Sequence, residues 1–249
     1  MIAITGNLDR IGGNRRVKRP KGFRSYIELL HDPTYRLDPD VEAQTIGADA
    51  FPLWAGPEGW QTATHNPAVI EAILPGRPYP VRAMYLSGVN IAVTYPDTRR
   101  TLEALRSLDF FVAVSHSMTP TAALADIVLP KTTGLEEEEV SLEATGPCLS
   151  AMQPAHPPLG EARSDFDIAL GIVRRLEAHG ITDARRYYPW ESKREFNEFL
   201  LGDGPISMEQ LLKNGYATFS YELGDFDRVG IKTYTGKIEL FSEKLAELG

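Results

Sequence analysis

The sequence predicts an α/β fold, a Rossmann-like parallel sheet flanked by helices, with a loop-rich N-terminal excursion. Three observations lead there. Val81–Gly88, Phe110–Ser115 and Asp126–Pro130 are short apolar runs without polar alternation, the pattern of strands covered on both faces. The stretches between them carry helix-start signals and leucines at helical spacing. Strand and helix alternating at these lengths imply right-handed βαβ units and therefore a parallel sheet.

Taken in order, residues 1–14 read as a helix or strand end running into a glycine turn, GNLDRIGGN. Residues 15 to about 80 are rich in Pro, Gly and Asp, with one convincing helix at Asn66–Leu74, Asn66 capping and Pro67 in the first position. This segment reads as an excursion over one end of the domain. Thr94 to Asp97 has capping-box spacing, and the helix after it places Leu102, Leu105 and Leu108 on one face. Thr119-Pro120 starts a short helix. Ser164-x-x-Asp167 is a second capping box, followed by a stripe of Phe166, Ala169, Leu170, Val173 and Leu176 and closed by His179-Gly180. Residues 190–201 and 207–214 read as helices, and Lys232–Phe241 as a terminal strand or hairpin. The expected division is a loop-rich segment at 1–80, an α/β portion at 81–230 and the start of a connection at 231–249.

Composition narrows the function classes. With 249 residues, 43% of them hydrophobic, and a net charge of −8, the chain can bury a core but lacks the clustered positive charge of a nucleic-acid binder. The most basic stretch, Arg15, Arg16, Lys18, Arg19 and Lys21, reads as a solvated loop, with phosphate or partner docking as the alternative. No apolar run approaches the ~20 residues of a membrane span, and no signal peptide is visible in MIAITGNLDR. Cys148 is the single cysteine, so an intrachain disulfide and an iron–sulfur cluster held by this chain alone are both excluded. The histidines show no His-x-x-x-His spacing.

In open α/β sheets ligands sit at the carboxyl ends of the strands. Two loops fall there. Ser87-Gly88-Val89-Asn90 combines a glycine, which lets the backbone approach a ligand, with a side-chain amide that donates and accepts. Ser115-His116-Ser117-Met118-Thr119-Pro120-Thr121 places hydroxyls and an imidazole just before a helix start, where free N–H groups favour a phosphate or carbonyl oxygen. Thr119 is equally a helix cap and Asn90 a turn residue, so spacing alone leaves both readings open. GxGxxG and GxxxxGK[ST] are absent, which removes standard dinucleotide and P-loop sites. The run Glu136–Glu139 reads for the most part as a solvated face. Ser115, His116 and Asp126 do not make a catalytic triad, because strand neighbours point to opposite sides.

The run MYLSGVNIAVTYPDTRRTLEALRSLDFFVAVSHSMTPTAALADIVLPKTTGLEEE resembles the molybdopterin oxidoreductase superfamily of the dimethyl sulfoxide reductase type. TGNLDRIGGN, PPLGEARSDFDI and TYTGKIELFSE are similar to further family segments in the same order. The resemblance implies a share in binding molybdopterin guanine dinucleotide, with molybdenum or tungsten held by pterin dithiolenes, for two-electron redox or oxygen-atom transfer. It carries Gly88 and Asn90 onto the family's G-x-N loop, and Ser115, His116, Ser117, Thr119 and Thr121 onto the loop before its T-A-x-x-A-D helix. Glu136 matches the glutamate after L-P, while Asp126 and Pro130 are implied to shape the turn and strand end. Ile91 stands where the family has proline, and Glu139 where many members have glycine.

The family's Cys-rich cluster domain, its metal-ligand segment and its C-terminal pterin-closing domain have no counterpart in these residues. The expectation is therefore one piece of a catalytic subunit, inactive alone. Its implied partners are the remaining domains or subunits, with an iron–sulfur electron-transfer subunit among them. A non-catalytic scaffold homologue in a respiratory complex is the alternative. The hydrophilic loop Ser115–Thr121 argues against a scaffold, because buried hydroxyls without partners cost ~1–3 kcal/mol each.

Overall fold

A computed structural model describes residues 1–14, 21–59, 63–141, 148–219, 226, 228 and 230–248. Of the basic stretch, Arg15, Arg16, Lys18 and Arg19 lie outside the described residues, and Lys21 is exposed. In chain order come α1 (Tyr26–His31), α2 (Pro39–Glu42), α3 (Asn66–Ile73), β1 (Ala83–Ser87), α4 (Ile91–Thr94), α5 (Thr98–Arg106) and β2 (Phe110–Ser115). A 3₁₀ turn at Ala122–Leu124 leads into β3 (Ile127–Pro130), β4 (Glu139–Ser141) and β5 (Cys148–Met152). There follow α6 (Asp165–Ala178), α7 (Ala184–Tyr187), α8 (Lys193–Leu201), α9 (Met208–Asn214), β6 (Tyr216–Thr218) and α10 (Glu243–Leu248).

The parallel sheet forms as the apolar runs predict. β1, β2 and β3 lie side by side in sequence order, with Met84 opposite Phe111 and Ala113 opposite Val128. Its register is set at the amino end by Asp126, whose backbone N–H donates to Phe111 O at 2.8 Å and whose carboxylate accepts from Phe111 N at 2.7 Å. Phe111, Ala113, Leu105 and Ala104 are buried there with Ile91 and with Ile70 and Ile73 of α3. The loop-rich segment thus contributes a helix to this core.

A second sheet, antiparallel and ordered β4-β5-β6, was not legible in the sequence. Two of its strands are three residues long, too short for alternation to register. Val140 and Leu149 from this sheet pack with Phe166 and Leu170 of α6, Trp190, and Phe196 and Leu200 of α8. α8 and α9 match the two helices expected for 190–201 and 207–214.

Four local expectations change. Asn66 is inside α3, and His65 occupies the cap position. Thr94 is the last residue of α4, and Asp97 alone caps α5, its carboxylate accepting from Arg100 N at 3.1 Å while its φ is +50°. Ser164 caps α6 as expected, but Ile168 is buried in the stripe while Ala169 and Leu176 are half-buried. Lys232–Phe241 forms turns and no strand. Thr233 Oγ1 donates to Lys237 O at 2.6 Å, Thr235 N donates to Glu239 Oε1 at 2.9 Å, and Leu240 and Phe241 stay exposed. A two-stranded ribbon with no layer to pack on is marginal in water. No helix among the described residues is long and apolar enough to cross a membrane.

Candidate functional site

Because β1, β2 and β3 run parallel, the segments following Ser87, Ser115 and Pro130 all emerge at one edge of the sheet. Gly88 turns the chain there at φ +71°, a conformation that favours glycine, and its N–H donates to Val114 O at 3.1 Å. Asn90 then sits at the start of α4.

The decisive contact joins the two loops. Thr121 Oγ1 donates to Asn90 Oδ1 at 2.7 Å and accepts from Ala92 N at 2.9 Å. Thr121 is only 1% exposed, so this hydroxyl clasps the loops from within. Ser115 Oγ donates to Ser117 O at 2.8 Å, and Thr119 Oγ1 accepts from Ala122 N at 3.0 Å. These bonds tighten the second loop and cap its 3₁₀ turn. Thr119, Thr121, Ser115 and Asn90 therefore all hold the loops in shape, while His116 and Ser117 face outward. Among the described residues, the N–H groups of Val89, Asn90, His116, Ser117 and Met118 have no acceptor. With the Ser117 hydroxyl and the His116 imidazole beside them, these donors form a concavity suited to an anion.

A third strand end joins the same edge, and sequence reasoning missed it. Lys131 directly follows β3, and its ammonium pairs with the carboxylate of Asp165, the first residue of α6. Ser87 Oγ donates to the other oxygen of Asp165 at 2.6 Å. Burial pushes the Asp165 carboxyl up, but the bonds from Lys131 and Ser87 and the charge of His116 outweigh it and hold it below the ordinary range. Lys131 Nζ lies 3.7 Å from where a side chain on Gly88 would begin. The strand-end rule that selected Gly88 and Ser115 would have selected Lys131 too, had it been applied to the third strand.

Glu136 lies apart from the two loops. One oxygen accepts from Thr133 N at 2.7 Å and Thr133 Oγ1 at 2.9 Å, the other from Leu159 N at 2.9 Å. These bonds hold its carboxyl below the ordinary range and tie the segment after β3 to Leu159. The rest of the acidic run is not a solvated face. Glu137, Glu138 and Glu139 are all half-buried. Glu138 pairs with Arg194 and Glu139 with Lys193. Glu137 accepts no hydrogen bond from the described residues, and burial pushes its carboxyl up. The run lies in and beside β4 against α8, so tertiary packing supplies partners that spacing cannot reveal. Asp126 lies at the opposite end of β2 from Ser115 and His116, so no triad is assembled.

The family model for molybdopterin oxidoreductases matches residues 62–175, a span that holds both loops, Lys131 and Asp165. The chain belongs to the molybdopterin oxidoreductase superfamily. Dopamine dehydroxylase of Eggerthella lenta is 32% identical over 184 residues, 71% of this chain and 17% of that protein. Acetylene hydratase of Syntrophotalea acetylenica is 30% identical over 191 residues, 74% of this chain and 25% of that protein. The thiosulfate reductase molybdopterin-containing subunit PhsA of Salmonella typhimurium is 26% identical over 98% of this chain and 35% of its own length. The solved acetylene hydratase from Pelobacter acetylenicus shares the fold, with a TM-score of 0.72 and 22% identity over 93% of this chain and 34% of that one. The chain thus spans between 17% and 35% of the length of these relatives. As a molybdopterin oxidoreductase of the dimethyl sulfoxide reductase family, it is related to catalytic subunits, and its family implies a molybdenum or tungsten pterin cofactor.

Proposed function

We propose that this chain supplies part of the cradle for a molybdopterin guanine dinucleotide in the catalytic subunit of an oxidoreductase. The observation that carries this reading is the buried hydroxyl of Thr121 bridging Asn90 and Ala92, which holds two loops together with unpaired N–H groups beside it. The donor set fits the anionic, nucleotide part of such a cofactor: backbone amides at Val89, Asn90 and His116–Met118, the Ser117 hydroxyl and the His116 imidazole. Gly88 lets the backbone come close. Asn90, Ser115, Thr119 and Thr121 position these donors, and Glu136 fixes the adjoining segment. Bound by dithiolenes, the metal supplies two-electron redox or oxygen-atom transfer.

In this reading residues 1–80 pack over the α/β portion at 81–230, and residues 231–249 lead toward further structure. The remaining domains or subunits of the same oxidoreductase complete the site, and an iron–sulfur subunit exchanges electrons with it. A relative described as a molybdopterin-containing subunit supports that division of labour.

The test uses ¹H–¹⁵N NMR of the 249-residue chain titrated with GDP as a probe of the nucleotide part. Saturable shifts confined to the amides of residues 88–91 and 115–121 are expected. Shifts scattered elsewhere, or none at millimolar GDP, would overturn the assignment.

A further inference from the structure

We propose that an aromatic cavity beside the groove binds a small organic cation, an alkyl- or arylammonium, with Glu137 as its counter-ion. The cavity encloses about 620 Å³ between α1, the start of α6, the segment through Trp190 and α8, within the size range of small-molecule sites. It is separate from the concavity at Gly88 and Ser117, and the proposal stands without the cofactor reading. The two share a wall, because Lys131 and Asp165 line the cavity and also meet Ser87 and Gly88.

The walls are a rigid cluster of rings. Trp190 packs edge-on to Phe196 at 4.6 Å and to Tyr188 at 5.7 Å, and stacks on Tyr35 at 5.7 Å. Phe166 leans on Tyr188 at 5.1 Å. Such surfaces attract cations through their negative π faces, more strongly when water is excluded. Lys193 already exploits one of them, with its ammonium 5.6 Å from the Phe196 centroid.

The charges select the sign of the ligand. Five ionisable groups of opposite kinds line the cavity: Lys131, Lys193, Glu137, Glu139 and Asp165. Lys131 is paired with Asp165, and Lys193 with Glu139 at 2.6 Å. Those pairs are neutral internally, so Glu137 leaves the lining with one net negative charge. Its carboxylate is half-buried and accepts no hydrogen bond from the described residues. A charge held away from water without a donor is costly. An ammonium ligand offers that donor or, when quaternary, the matching charge. An anion would face Glu137 directly, and a neutral arene would leave it unpaired.

The experiment titrates the 249-residue chain at pH 7 with benzyltrimethylammonium, and in parallel with phenylacetate as the anion of similar size. Binding is followed by calorimetry and by the NMR signal of the Trp190 indole N–H. Saturable binding of the cation is expected, about tenfold tighter than the anion, with movement of the Trp190 signal. Glu137→Gln removes a charge and no hydrogen bond, and should weaken cation binding about tenfold. Leu30→Arg, at a lining residue 41% exposed, should weaken it similarly while leaving the core untouched, and serves alone if the first variant folds poorly. Absence of saturable cation binding, phenylacetate binding as tightly, or cation affinity unchanged in the folded variants would each refute the proposal.

Discussion

Replacing Thr121 by valine tests the clasp between the two loops. Valine fills nearly the same space but lacks the hydroxyl, so the change isolates two hydrogen bonds. The first is donated to Asn90 Oδ1 at 2.7 Å and the second accepted from Ala92 N at 2.9 Å. Ala92 is 3% exposed, and its N–H would be left without an acceptor, at about 1–3 kcal/mol. Asn90 is half-buried and regains water in part, so its loss is about 0.5–1.5 kcal/mol. The expected total is about 2–4 kcal/mol, measured by urea denaturation with an unchanged slope. Thr121→Ser keeps the hydroxyl and removes one methyl group, and should cost only about 1 kcal/mol. Amide signals of residues 88–92 and 115–122 should move in the valine variant and stay nearly fixed in the serine variant. If valine costs no more than serine, the hydroxyl is not what joins the loops, and the reasoning fails.

Other expectations follow from the same structure. Leu200 is wholly buried in the antiparallel-sheet core, so Leu200→Ala should lower stability by about 3 kcal/mol in urea titrations, and a loss under 1 kcal/mol would mean the core repacks around it. Arg194 beside Glu138, with Asn197 adding a weaker bond, holds that carboxyl below its ordinary 4.5. A depressed folded value stabilises above the unfolded one and is lost as pH falls through it. Denaturation between pH 6 and 3 should therefore show a loss of stability that Glu138→Gln flattens. Glu137 has the opposite sign. Burial raises its carboxyl, so the stability it contributes is complete below the unfolded value and disappears as pH rises through the folded one. Glu137→Gln should accordingly raise the melting temperature at pH 7 by about 2 °C, and calorimetry at pH 4 should show the two proteins converging.

What was readable along the chain is what local pattern controls. Phe110–Ser115 announces a covered strand because both faces of a parallel sheet must be apolar, and the strand occupies those six residues. Ser164 and Asp167 announce the start of α6 because a cap needs only residues three apart. The two loops could be named because parallel strands necessarily deliver their carboxyl ends to one edge, and the family resemblance rests on those same linear motifs. Tertiary structure alone decided the rest. Thr121 and Asn90 are 31 positions apart, Ser87 and Asp165 78, and Arg194 and Glu138 56. No spacing rule marks such pairs, since each forms only when whole elements pack. For that reason a run of glutamates that looks solvated is half-buried against α8, and Thr121 is an internal clasp. Hydrogen bonds and ion pairs act within about 3 Å, and which distant residues come that close is a property of the packed chain.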